Sequence, residues 1–198
     1  MECDTALAAV GIVLYFLGFI YYGKCALAGK VNPSLASWEQ WAVLGILLAV
    51  SSHVMNKGDV IKSLQAYGIC IANVIMVVVV LIARKYDKPK LRDTALSLFG
   101  LLAIFLWWLK HDATYALLTL LFPVVISIIP TWINTWQEPS REDPKPWLVI
   151  CFSYLLTGTA TALRVQYWTM EWHQVALHVT GFATQFVVPL IAILKKNR

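Results

Sequence analysis

Seven long stretches without a charged residue constrain this chain more than any other feature. They are residues 5–23, 40–56, 63–83, 94–109, 113–137, 146–163 and 172–194, with lengths of 19, 17, 21, 16, 25, 18 and 23. A helix needs about 20 apolar residues to cross a bilayer core. Six runs fit that range, and the fourth fits if Lys110 snorkels to the interface. The second is the weakest, diluted by Ser51, Ser52 and His53. Strands of a membrane barrel would show short alternating segments instead, so the runs are predicted to be helices. Composition agrees: 59% of the 198 residues are hydrophobic and 14% charged, against about 25% charged in a soluble domain. A secreted disulfide scaffold, a disordered chain and a basic nucleic-acid-binding domain are excluded as first readings. The four cysteines, Cys3, Cys25, Cys70 and Cys151, form no CxxC pair and read as structural. The acidic start Met1-Glu-Cys-Asp4 does not resemble a cleavable signal, so the first run is expected to stay in the mature protein.

The sparse charges predict an orientation. With seven spans, one side holds Lys57, Lys62, Lys110 and Arg164. The other holds Lys24, Lys30, Arg84, Lys85, Lys88, Lys90, Arg92, Arg141, Lys145, Lys195, Lys196 and Arg198, twelve of the 16 basic residues. The positive-inside rule makes the second side cytoplasmic. The expectation is an integral protein of the cytoplasmic membrane, N-terminus outside and C-terminus inside. The dense loop bearing Arg84, Lys85, Lys88, Lys90 and Arg92 is a topology signal that also suits anionic lipid headgroups.

Two loops suggest an internal repeat. Asn32-Pro-Ser-Leu-Ala-Ser-Trp-Glu-Gln-Trp41 and Glu138-Pro-Ser-Arg-Glu-Asp-Pro-Lys-Pro-Trp147 share Pro-Ser and a Trp that opens the next helix, with Trp41 aligned to Trp147. The matches join the first run to the second and the fifth to the sixth. The expected fold is therefore an all-α membrane protein of seven helices arranged 3+1+3. Residues 1–84 form one three-helix repeat, 85–112 the basic loop and linker helix, and 113–198 the second repeat. Parallel repeats of this kind place a substrate site between the halves near the bilayer midplane.

Seven helices as 3+1+3, with Pro- and Trp-bearing cytoplasmic loops after the first and fifth spans, resemble the SWEET sugar-transporter and PQ-loop superfamily. The strongest local echo is Ile129-Pro-Thr-Trp-Ile-Asn-Thr-Trp136, whose Pro130 is similar to the family's Pro-Gln position, although Thr131 stands where Gln would be. The loops at Pro33–Trp38 and Trp136–Pro139 also resemble a group of small bacterial membrane proteins without an assigned function. The resemblance implies hinge prolines, found here as Pro123 and Pro130, and polar residues paired on the third helix of each repeat. Aligning the ends Arg84-Lys85 and Lys195-Lys196 sets Asn73 opposite Thr184-Gln185, the pair expected to bind substrate. The first two spans lack proline, a departure from a symmetric rocking mechanism.

Polar residues inside spans are costly and are functional candidates. Besides Asn73, Thr184 and Gln185, these are Ser51 with Ser52 and His53, Thr157 with Thr159 and Thr161, and His178. The hydroxyls alone are equally explained by bonds to their own helix. Trp107, Trp108, Trp132, Trp136, Trp168 and Trp172 lie near span ends, as an interfacial belt would place them. No Asp or Glu falls within a run, which argues for uncoupled movement of a neutral solute. The seventh run has no Lys for a retinal Schiff base, and hydrolase, zincin, Walker and Rossmann motifs are absent, so no enzyme, metal site or cofactor is expected. The expected function is a SWEET-like facilitator of a small neutral polar metabolite such as a sugar. The alternative is a heptahelical receptor or an accessory subunit of a membrane complex. A homo-oligomer or a membrane partner protein is compatible with either, and nucleic acid with neither.

Overall fold

A computed structural model describes residues 2–84, 105, 109 and 112–196. The linker run 94–109 and the loop residues Lys85, Lys88, Lys90 and Arg92 fall largely or wholly outside these. Six long helices are described: α1 (Glu2–Leu27), α2 (Leu35–Met55), α3 (Val60–Ala83), α4 (Ala113–Gln137), α5 (Pro144–Leu163) and α6 (Ala176–Lys196). Five spans are long and apolar enough to cross a membrane: α1, α3, α4, α5, and α6 together with the short helical turns before it. The chain is thus an all-helical, integral-membrane type of protein. α2 has the length, 21 residues, but Glu39, Gln40 and the Ser51-Ser-His53 end dilute it.

Local chemistry sets the ends. Ser34 caps α2 by accepting from the Ser37 N–H, Asp59 caps α3 from Ile61 and Lys62, Asp112 caps α4 from Tyr115, and Asp143 caps α5 from Lys145. Each side-chain oxygen satisfies an amide that the first turn leaves unpaired. The Pro-Ser pairs of the proposed repeat do not occupy matching places. Ser34 is a cap, whereas Pro139-Ser-Arg141 forms a 3-10 turn. Helix register also matches Trp147 with Trp38 rather than Trp41, since each is the fourth residue of its helix.

The helices contact in a closed order: α1 with α3, α3 with α2, α2 with α4, α4 with α6, α6 with α5, and α5 with α1. In each group of three, the third helix lies between the first and second. Between groups, first packs on second in both directions, α1 on α5 and α4 on α2. Small residues allow close approach, as in membrane bundles generally. A Cβ on Gly11 would lie 2.6 Å from Thr157 Cγ2, and one on Gly18 would lie 2.7 Å from Ile150 Cγ1.

Paired residues reveal helix direction. Asp4 meets Arg164, while Tyr21 meets Asp143, so α1 and α5 are antiparallel. Asp59, at the start of α3, also reaches Arg164. α3 therefore ends at the opposite face, where α1 also ends and α5 begins. Lys195 lies 4.0 Å over the Trp136 ring, so α4 and α6 finish together. Arg84 and Asp112 consequently stand at opposite ends of the bundle.

Candidate functional site

A cavity of about 40 Å³ lies at the centre of the ring, with walls from both groups of three helices. That is room for two or three waters. Its polar wall is Asn73 from α3 and Thr180, Thr184 and Gln185 from α6. Its remaining wall mixes aromatic and aliphatic side chains, including Tyr15, Phe19, Trp38, Trp41, Leu44 and Leu121.

Each polar group has a defined state. Asn73 is buried and donates through Nδ2 to the Trp41 carbonyl at 3.0 Å, tying α3 to α2. Thr184 Oγ1 donates to the Thr180 carbonyl of its own helix at 2.7 Å. The Thr184 carbonyl accepts from Trp132 Nε1 at 3.0 Å. Gln185 Oε1 is shielded from solvent and has no hydrogen-bond partner. A buried amide oxygen without a donor is costly, so it marks where a donor on a bound solute would be accepted. Asn73, Thr184 and Gln185 line the same cavity, because α3 and α6 both face the centre.

The other expected site residues lie elsewhere. Ser51 is buried but off the cavity wall. Thr157 is also off it: its hydroxyl donates toward Gln65 Oε1 at 2.9 Å and is placed 2.9 Å from the Ser153 carbonyl. His178 is buried against Gly158, with Nε2 3.5 Å from Thr161 Oγ1, and does not line the cavity. These three were expected from residue type and depth; the side of the helix each occupies turns them into helix–helix packing. Thr159 is exposed and back-bonds to Leu155, and exposed His53 pairs with Tyr67 at 2.6 Å. Pro123 and Pro130 sit inside α4. Pro189, not singled out in the sequence, sits inside α6. Each removes a helical N–H and loosens its helix.

Gln65 was missed. It is wholly buried on α3, and its Oε1 is also 3.4 Å from Ser153 Oγ. The signal was present, a second amide in the run that holds Asn73. It lies toward the end of the bundle where α1 begins, next to Tyr154, which lines the cavity.

Carboxylates are buried at both ends of the bundle, just outside the uncharged runs. Asp4 is within α1 and only 5% exposed. It pairs with Arg164 at 2.6 Å, and Asp59 pairs with the same guanidinium at 3.1 Å. The Asp4 hydrogen bond, then the Asp59 contacts, raise the Arg164 pKa against the opposing effect of burial. A charge is tolerated there because it is neutralised on the spot. At the other end Glu142 is buried, accepting from Tyr22 Oη at 3.1 Å and Trp147 Nε1 at 2.9 Å. Tyr22, Trp38 and Trp147 form a series of packed rings, with Tyr22 5.4 Å from Trp38 and edge-on to Trp147 at 5.7 Å. Trp38 is 4.8 Å from Trp41. These rings cap the cavity. Trp136, Trp168 and Trp172 are about half exposed, as a belt requires, whereas Trp132 is turned inward to Thr184. Trp107 and Trp108 lie outside the described residues.

Among the described residues no cluster of His, Cys, Asp and Glu is arranged to hold a metal. The arrangement offers hydrogen bonds and ring faces to a small uncharged molecule. No protein family matches the sequence, and comparison with curated proteins and with solved structures gives no match.

Proposed function

We propose that the protein is a SWEET-like membrane facilitator that moves a small neutral polar solute through the central cavity by alternating access. One observation carries this reading. The cavity lies between two similarly ordered groups of three helices, and its amides and threonine hydroxyls come from the third helix of each. The 3+1+3 arrangement is part of the proposal. The run 94–109 is the seventh span, a reading supported by the placement of Arg84 and Asp112 at opposite ends. The end holding Lys24, Lys30, Lys145 and Lys195 is cytoplasmic, supported by the positive-inside rule.

In this reading Glu142 and the Tyr22–Trp38–Trp147 rings form the gate at one end, and Tyr154 with the Asp4–Arg164–Asp59 cluster forms the gate at the other. A cavity holding two or three waters admits a metabolite only when the walls part. Gln185 Oε1 then accepts from a solute hydroxyl or amide, and Asn73 exchanges its bond to the Trp41 carbonyl for one to the solute.

The test is uptake of labelled sugars, amino acids and vitamins into proteoliposomes, with ligand stabilisation of purified protein in parallel. Saturable uptake of at least one neutral solute is expected, reduced at least tenfold by Asn73→Ala and by Gln185→Leu with folding retained. Uptake at the parent rate in both variants removes the site assignment. No uptake and no stabilisation across the panel, with a stably copurifying partner, turns the reading to the receptor or accessory subunit.

A further inference from the structure

A second space, a groove of about 260 Å³, lies on the outer flank between α1 and α3. Phe16, Ile20, Gly23 and Leu27 of α1 form one wall, and Ile75 and Val79 of α3 the other. Ile20, Leu27 and Ile75 are about half exposed. From Phe16 to Leu27 the groove follows three turns of α1, roughly 16 Å along the axis.

Its floor is opened by the absence of a side chain at Gly23. A Cβ there would make only ordinary contact, 3.6 Å from Met76 Sδ and 3.6 Å from Val79 Cγ1. This fixes the relative level of the helices: Gly23 is beside residues 76–79, so Leu27, one turn on, is beside the end of α3. Exposed Lys24 lines this end of the groove, and exposed Arg84 terminates α3 at the same end. Among the described residues no acidic one lines it. The acidic groups nearest in sequence contact, Glu142 and Asp143, engage Tyr22 and Tyr21 on the α5 side of α1.

We propose that this groove binds one acyl chain of an anionic phospholipid, with Lys24 and Arg84 holding its phosphate headgroup. The charge lies where a headgroup lies, at the membrane-surface end of an apolar slot. Basic side chains at that level favour anionic over zwitterionic lipid. The site is separate from the central cavity and stands or falls without the transport reading.

The test uses full-length protein, delipidated in detergent, titrated with phosphatidylglycerol or phosphatidylcholine and read by native mass spectrometry and thermal unfolding. Phosphatidylglycerol is expected to bind with a preference on the order of tenfold, from two cationic contacts. Lys24→Gln with Arg84→Gln should bring the two lipids to equal affinity. Gly23→Leu, filling the slot, should weaken both lipids while leaving the lipid-free melting temperature near the parent value. Equal retention of both lipids by the parent protein overturns the headgroup assignment. Parent-like phosphatidylglycerol binding by Gly23→Leu overturns the groove assignment.

Discussion

Glycine positions separate tolerance from intolerance at the residue scale. A Cβ on Gly181 would lie 2.2 Å from Tyr154 Cε1, inside the cavity wall, whereas one on Gly23 finds ordinary contact. Overpacking of this kind costs about 1–3 kcal/mol. Gly181→Ala should therefore lower the melting temperature by several degrees, and Gly23→Ala should leave it within one; equal effects would contradict the packing described. Glu142 supplies a second contrast. It accepts from Tyr22 and Trp147, both buried, so Glu142→Ala strands two donors, while Glu142→Gln keeps one acceptor oxygen. Unfolding should be earliest for Ala, intermediate for Gln and latest for the parent. Asn73 and Gln185 were legible as amides in apolar runs. Gln65 was equally visible as a residue type, but only its packing against Ser153 and Thr157 separates a helix tie from a cavity wall.

The two seams between the helix groups differ at the element scale. α1 and α5 are joined along their length by Gly11 and Gly18, and at both ends by Asp4–Arg164, Tyr22–Glu142 and Tyr21–Asp143. The α2–α4 seam includes the bond from Trp41 Nε1 to Ser127 Oγ at 2.7 Å, and α4 is interrupted by Pro123 and Pro130. If the walls part, the second seam is the one that yields. Interhelical bonds in membranes average about 0.6 kcal/mol, so Trp41→Phe should hardly change the melting temperature. In proteoliposomes it should speed uptake. Large destabilisation without faster uptake would make Trp41 a packing residue only. The loop motif Pro-Ser-Trp suggested the repeat, yet those residues are not in register. The likeness between the halves lies in helix order, which no short motif encodes.

Polarity follows from helix direction at the scale of the whole molecule. α1 starts and α6 ends at opposite faces, and Lys24, Lys30, Arg84, Lys145 and Lys195 lie at the face where α6 ends. Cys3 is exposed at the face where α1 begins, while Cys25 and Cys151 are buried. In intact cells a membrane-impermeant maleimide should label the parent protein and leave Cys3→Ser unlabelled. A thiol introduced at Lys195 should react only after permeabilisation. The reverse pattern would invert the orientation while leaving the fold intact.

By itself the sequence determined that the chain is helical and membrane-embedded, roughly where its spans lie and at which end its cations gather. Apolar length and the cost of placing charge in lipid act on each segment locally, so these can be read without contacts. Only the tertiary structure decided which polar residues share a cavity and which carboxylates are buried. It also decided which seam is loose and where the flank opens. Those depend on the face each helix turns to its neighbour. A bilayer rewards apolar surface on every side of a helix, so hydrophobic periodicity does not encode that choice; small residues and isolated hydrogen bonds make it.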